Sequence, residues 1–254
     1  MRKRKKIQKM PWNVGLLGTG NLATLFAREI QKNGQYRLLV QGSTPEKTEA
    51  FCQIHRTEAL EIPGPVDFFL VTVQNDRIDS VVAKLPQHIP IFICAGFHQS
   101  VCENVGYLYP LQSIHRACLP DIEQIPFLMD VPIAFRDLGR GFLESMGINI
   151  QIVTAEERRK CHMVAVLLNN FGYFLFKEGL QMTPPSLDPS LFTPLLQQTL
   201  TNALSNGDLQ TGPARRNDQG MIQAQELLLG EHSPHLLPLY QLISEQIRKK
   251  YHEL

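Results

Sequence analysis

Apolar and polar positions alternate in two different ways along this chain, and the change comes near Thr154. Before it, short apolar runs are separated by segments with helical spacing. VGLLG predicts a strand over Val14 to Gly18, and Leu22 to Lys32 has the three-to-four-residue period of a helix stopped by Gly34. YRLLVQ, residues 36 to 41, predicts a second strand. PEKTEAFCQIH predicts a second helix, with Pro45 suited to its first turn. VDFFLVTV, 66 to 73, is continuously apolar, as expected of a parallel strand covered on both faces. Asp76 to Leu85 returns to helix, and IPIFICAGF, 89 to 97, predicts another buried strand. PFLMDV and NIQIVTA, on either side of a helix near residues 136 to 146, predict two more. Alternating strands and helices of this kind build an α/β domain with a mostly parallel sheet and right-handed crossovers.

After Thr154 the strand period disappears. Glu156 to Gln181 reads as one long helical stretch. Residues 188 to 206, 217 to 229 and 235 to 252 read as further helices, separated by the PP, TGP and SP turn signals. The predicted organisation is a basic tail over 1–12, a dinucleotide-binding domain over 13–153 and an all-helical domain over 154–254.

Composition changes this picture little. The 254 residues are 43% hydrophobic and 19% charged, with a net charge of +1, which suits a globular protein and gives no overall field for nucleic acid or membrane. The basic start, MRKRKK, is not followed by an apolar segment, so it predicts a solvated tail and no secretory signal. MVAVLLNNFGYFLF, 163 to 176, is too short to span a bilayer and is interrupted by Asn169 and Asn170. Cys52, Cys94, Cys102, Cys118 and Cys161 are dispersed with no CxxC pair. That pattern predicts reduced thiols in a cytoplasmic protein and no zinc site.

The chemistry enters at Gly18-Thr19-Gly20-Asn21-Leu22-Ala23, which fits G-x-G-x-x-A between a strand and a helix. The first glycine permits the tight turn and the second lets backbone amides approach a pyrophosphate. The small last position lets helix and strand pack closely. The helix N-terminus then offers free amides and the positive end of its dipole. This is the phosphate cradle of a Rossmann-type domain. At the end of the second strand, Gln41-Gly42-Ser43-Thr44 supplies no carboxylate for a ribose 2′-hydroxyl. Ser43 and Thr44 can donate to a 2′-phosphate and Lys47 can add charge, so the expected cofactor is NADP in preference to NAD; both residues also suit a helix cap. Val73 and Gln74 after the third strand, and Ala95 after the fourth, fall at the carboxyl ends where a nicotinamide ring binds.

Four further stretches share a pattern. Tyr109-Pro110-Leu111-Gln112-Ser113 belongs to the α/β part. Cys161-His162-Met163-Val164-Ala165-Val166 leads to Asn169-Asn170-Phe171, and Phe192-Thr193-Pro194-Leu195-Leu196 leads to Thr199 and Asn202. Gln210 to Asp218 contains Thr211-Gly212-Pro213-Ala214-Arg215-Arg216-Asn217-Asp218. Together they resemble Rossmann-like proteins carrying the C-terminal helical domain of unknown function 2520. That family combines H-x-x-A-V…N-F, T-G-P-x-x-R-x-D and P-L-Q elements, and the likeness runs from about residue 13 to 252. The wider resemblance is to pyrroline-5-carboxylate reductase and the 6-phosphogluconate dehydrogenase-like enzymes, which join an NADP domain to a helical dimerisation domain. The proline-glycine-rich signature of the reductases is absent, so the resemblance does not carry that activity. Many family members have histidine where this chain has Tyr109, so it assigns that position no acid–base role.

His162 and Asn169 are seven residues apart, which places them on one face of a regular helix, with Asn170 close by. Buried among apolar neighbours, such groups need partners. His162 is the candidate proton donor, with Asn169 or Asn170 orienting a substrate; the alternative is a core histidine satisfied by a carbonyl. By motif position Arg216 is a candidate carboxylate clamp and Asp218 a helix cap, or the two form a structural ion pair. Gln112 and Thr211 are candidate substrate contacts. The expected function is an NADP-dependent oxidoreductase moving hydride between nicotinamide and a small carbonyl, imine or hydroxy-acid substrate, in a cleft between the domains, with a homodimer formed through the helical domain. The alternative is a dinucleotide-binding sensor or assembly module without turnover.

Overall fold

The computed structural model describes residues 12–62, 64–100, 102 and 104–252. The basic tail expected over 1–12 lies outside them apart from Trp12, which opens the first strand. The strands are β1 (Trp12–Leu17), β2 (Tyr36–Gln41), β3 (Glu58–Ala59), β4 (Phe68–Val71), β5 (Ile91–Ile93), β6 (Val105–Pro110), β7 (Phe127–Asp130) and β8 (Ile150–Ile152). They form one sheet in the order β3-β2-β1-β4-β5-β6-β7-β8. All neighbours are parallel except β6 and β7, which run antiparallel. The first six strands keep the doubly wound Rossmann order, so a crevice opens outside the carboxyl ends of β1 and β4, where the chain reverses its direction of winding.

Burial on both faces follows from the apolar runs. In β4, Phe68 and Leu70 join the core beneath α1 (Asn21–Asn33) and α4 (Ile133–Glu144), where Phe26 and Phe142 pack. Phe69 and Val71 face the other way, towards Ile78 and Val82 of α3 (Ile78–Val82). The second helix, α2 (Pro45–His55), matches its predicted bounds because Thr44 caps it and Pro45 follows at once.

Two local readings are corrected. Val105–Pro110, where the sequence showed a motif and no strand, is a central strand between β5 and β7. The helix expected over Asp76 to Leu85 is a 3-10 turn, Asn75–Arg77, followed by the short α3. The stretch from Glu156 to Gln181 is helical throughout, as expected, and its period widens at a π turn (Val166–Phe171) between α5 (Ala155–Ala165) and α6 (Gly172–Gln181). A π turn takes more residues than an α turn, so a seven-residue spacing no longer completes two turns across it.

The chain divides into two compact units, 1–172 and 173–254. Strands cease where the period changes, near Thr154, but the first unit also keeps α5 and the π turn. Beyond α6 the second unit is helical throughout its described residues: α7 (Thr193–Ala203), α8 (Pro213–Arg216), α9 (Gln219–His232) and α10 (Leu237–His252), with 3-10 turns before α7 and α10. No described helix is long and apolar enough to cross a membrane.

Candidate functional site

The glycine turn is built as its sequence requires. Leu17, the last residue of β1, pairs with Gln41 and Val71, so the turn emerges level with the ends of β2 and β4. Gly18 has φ of 118°, and a Cβ there would lie 2.7 Å from Thr72 Oγ1. That hydroxyl is tied to the Leu17 carbonyl at 3.0 Å, so the position admits no side chain. Gly20 is different: a Cβ there would meet no atom within 4 Å. It is the N-cap of α1, and no side chain caps the first-turn amides. An open N-terminus with free amides fits a pyrophosphate. Asn21 Oδ1 accepts from the backbone N and Nε of Arg116, both at 3.3 Å, so a guanidinium lies beside the turn. Sequence reasoning missed Arg116 because 95 positions separate it from Asn21.

Around this turn, Thr19 packs near Gly42, and Leu22 is packed against the core. Ser43 and Thr44 line a cavity of about 820 Å³ with Gln41, Glu49 and Glu61. Thr44 accepts from Lys47 N at 3.3 Å, so its capping role is formed. Val73 is packed under the β4 end, Gln74 is exposed before the 3-10 turn, and Ala95 is buried beyond β5. No group of three or more metal-ligating side chains occurs among the described residues.

The second feature sits at the carboxyl ends of β5 and β6. Thr154 starts α5 with a reciprocal capping box: its Oγ1 accepts from Glu157 N at 3.2 Å while Glu157 Oε2 accepts from Thr154 N at 2.7 Å. Arg158 and His162 then lie one turn apart on the same face. Arg158 is fully buried. Its Nη1 donates to the carbonyls of Ala95 (3.1 Å) and Gly96 (2.8 Å), its Nη2 to that of His98 (2.9 Å) and its Nε to Asp130 Oδ2 (3.2 Å). The guanidinium carbon is 3.6 Å from the centre of the Tyr107 ring. A buried charge is tolerable when its donors are used this fully. The cluster fixes the loop after β5.

His162 packs on that loop. A Cβ on Gly96 would fall 2.4 Å from His162 Nδ1, so glycine is what lets the ring approach. Phe97 packs beside it with ring centres 6.0 Å apart. The Tyr109 hydroxyl is 3.0 Å from Nδ1. Burial first, and the nearby Arg158 charge second, hold the imidazole below its ordinary pKa, which keeps it neutral. Burial first, and the Cys161 thiol second, push the Tyr109 phenol above its ordinary range. A neutral imidazole with a fixed Nδ1 can exchange a proton through Nε2. The sequence carried a signal for Arg158, its i, i+4 spacing to His162, but a charged residue on a helix reads equally as solvated. Its neighbour Arg159 bonds Gln99 Oε1 at 2.7 Å.

The other candidates have local surroundings of their own. Asn169 and Asn170 are exposed and bond each other at 3.3 Å; both lie in the π turn, whose wider period shifts Asn169 off the His162 face that a regular helix would give it. Gln112 is exposed and its side chain accepts from Ser113 N at 2.8 Å. Thr211 is exposed, and with Gly212 and Pro213 it lines a cavity of about 350 Å³ within the helical unit. Asp218 caps α9 by accepting from Met221 N at 3.1 Å. Arg216 is exposed and makes no ion pair among the described residues, so the alternative of an Arg216–Asp218 pair is not formed.

Comparison with known proteins bears on the fold and on the C-terminal segment. Residues 125–247 match the family model "Domain of unknown function (DUF2520)". No curated protein matches the sequence. A candidate NADP oxidoreductase from Bacteroides fragilis superposes with a TM-score of 0.80 at 21% identity, covering 94% of this chain and 99% of its own. An imine reductase from Streptomyces aurantiacus gives 0.64 at 12% identity, covering 93% and 95%. A 1-pyrroline-5-carboxylate reductase from Streptococcus pyogenes gives 0.59 at 13% identity, covering 97% and 100%. At these identities the likeness is one of fold.

Proposed function

Starting from a Rossmann-type protein that carries a DUF2520 domain, we propose an NADP-dependent oxidoreductase that moves hydride between the nicotinamide and a small carbonyl, imine or hydroxy-acid substrate. The observation that carries the reading is the turn after β1: Gly18 is locked by its φ and by Thr72, while Gly20 opens onto space at uncapped helix amides. A turn that merely linked strand to helix would not need both. Gly18 to Leu22 would hold the pyrophosphate, with Arg116 beside them. Ser43 and Thr44 would meet the adenosine ribose and its 2′-phosphate, since β2 ends in Gln41 and not in a carboxylate. Val73, Gln74 and Ala95 lie at the strand ends where the nicotinamide would rest. When bound, the cofactor supplies the hydride; His162 supplies geometry and a proton site.

Exposed apolar side chains support a homodimer through the helical unit. Tyr173, Leu195, Leu204 and Leu227 are more than half exposed, and Ala214 and Ile222 are the buried residues among those described from 173 onward. Apolar surface on this scale is ordinarily covered by a partner. The placement in a reducing compartment rests on the five dispersed cysteines, which contain no CxxC pair.

Isothermal titration with NADPH and NADH tests the reading. NADPH is expected to bind about tenfold more tightly, a preference of roughly 1.4 kcal/mol. Gly20→Val should weaken NADPH binding at least tenfold while leaving the circular dichroism spectrum unchanged. Binding of neither nucleotide would overturn the proposal, and tighter NADH would overturn the choice of NADP. Light scattering at micromolar concentration should give twice the chain mass.

A further inference from the structure

His162 has two ring nitrogens, and the structure treats them differently. Nδ1 is enclosed: the Tyr109 hydroxyl lies 3.0 Å away and Gly96 is packed directly against that side of the ring. No described residue hydrogen-bonds Nε2. The pair can be joined in two ways. Either Tyr109 O–H donates to Nδ1 and the proton of the neutral ring sits on Nε2, or Nδ1–H donates to the phenol oxygen and Nε2 is bare. Chemistry separates them. A phenol is a good donor and a weak acceptor, whereas an unprotonated imidazole nitrogen is a strong acceptor. The first arrangement pairs the better donor with the better acceptor. It also leaves Nε2–H and the weakly accepting phenol oxygen seeking partners. The second leaves the phenolic proton and the strongly accepting Nε2 lone pair, the costlier pair to strand in a half-buried setting.

We propose that Tyr109 is a positioning residue that fixes His162 in the Nε2–H tautomer, so that His162 delivers its Nε2 proton to the oxygen of a carbonyl substrate while the Tyr109 proton follows into Nδ1. The proposal rests on the oxidoreductase reading above and narrows its substrate class. With reduced nicotinamide dinucleotide as the reductant, hydride forms a C–H bond at the carbonyl carbon and the C=O π pair moves onto oxygen. That oxygen takes the Nε2 proton and Nδ1 takes the tyrosyl proton; the phenolate then recovers its proton from Nδ1 while solvent reprotonates Nε2, which restores the starting tautomer. An alkoxide is a far stronger base than a phenolate, so the relay runs downhill even though burial makes Tyr109 a weaker acid. A preformed iminium ion needs no such proton, because hydride converts it directly to a neutral amine. The dyad therefore argues against a preformed iminium ion and suits aldehydes and ketones, with the corresponding alcohols or hydroxy acids in the oxidising direction.

The charged and titratable groups facing the ring are Arg158 on its own helix, Tyr109 on β6, Cys161 beside it and, through Arg158, Asp130 on β7. Long-range proton–nitrogen correlation spectra of the 15N-labelled full chain near neutral pH read the tautomer directly, with His162→Gln identifying the signal. The wild type should show a pyridine-like Nδ1 and a pyrrole-like Nε2. Tyr109→Phe, which is nearly isosteric, should mix the tautomers and raise the His162 pKa by about half a unit to one unit, the worth of one hydrogen bond to the neutral ring. Removing a hydroxyl without a hydrogen-bonding role would leave that pKa unchanged or lower it. A protonated Nδ1 in the wild type overturns the proposal on its own, whatever the variant's stability. So does a Tyr109→Phe spectrum with the wild-type tautomer and pKa. Neither measurement needs cofactor, so failure here leaves the dinucleotide reading standing, while absence of NADPH binding removes that reading without changing the tautomer.

Discussion

Arg158 and Arg216 stand in the two units of the chain, and they have opposite surroundings. Arg158 is fully buried, gives four hydrogen bonds and stacks on Tyr107. Arg216, in the T-G-P-x-x-R-x-D segment, is exposed and has no ion pair among the described residues. The recognisable motif therefore holds the arginine with little to do within a single chain. The arginine that organises a candidate site has no motif at all. Motif strength and local structural commitment are separate properties. A buried charge must be satisfied inside the fold, whereas an exposed one is free to wait for something else.

The largest effect is expected from breaking the first half of this contrast. Arg158→Ala leaves three loop carbonyls and Asp130 without their donor, and should cost about 3–5 kcal/mol of unfolding free energy. Arg158→Lys should recover part of this, because one ammonium cannot reproduce the forked contacts. Urea titration followed by fluorescence of the single tryptophan, Trp12 in β1, measures the loss. A change below about 1 kcal/mol would show that water replaces the guanidinium readily, and the contrast between the arginines would fail.

Gly96→Ala acts on the same corner more gently. The added carbon would lie within 2.4–2.8 Å of three His162 atoms, and the ring is tethered to α5 by its own Cβ. Overpacking of this kind should cost about 1–3 kcal/mol and displace His162 from Tyr109, lengthening their contact in a crystal structure. Gly20→Ala is the control, with open space at its Cβ and no expected loss of fold.

These positions also show what could be read in advance. The glycine turn and α2 are legible because their signals are local: Gly18 and Gly20 flank a strand end, and Thr44-Pro45 starts a helix. Ser43 and Thr44, and the capping role of Asp218, follow from the same local logic. β6 was missed because Val105–Pro110 carries glycine and proline and its status as a strand depends on partners Ile91–Ile93 and Phe127–Asp130. The π turn is illegible because apolar spacing alone does not distinguish it from an α turn. Arg158 and Tyr109 gain their roles from contacts 28 to 63 positions away along the chain, which no local pattern encodes.

A smaller effect is expected from pH. The folded His162 has a pKa below its ordinary value, for the reasons of burial and the Arg158 charge. On acidification the unfolded chain therefore takes up a proton before the folded one does, and stability falls as pH drops through the ordinary imidazole range near 6.5. His55, lowered by burial, adds to the slope with the same sign. His162→Gln should flatten the dependence without abolishing it. A variant with the wild-type slope between pH 7 and 5 would show that His162 titrates freely and that its corner is wetter than its packing implies.

The smallest effect is expected at the second arginine. Arg216→Ala removes an exposed side chain with no ion pair among the described residues, so the thermal midpoint should move by less than about 2 °C. Light scattering should show the same assembly as the wild type. A larger shift would be informative about what the single chain lacks. Asp218 is already committed to the α9 cap, and Arg216 adds no side-chain bond to it. A loss at Arg216 would therefore have to come from a surface outside this chain. If it grew as protein concentration fell, the loop would belong to the dimer interface, and the idle arginine would have the same reason for being there as the buried one.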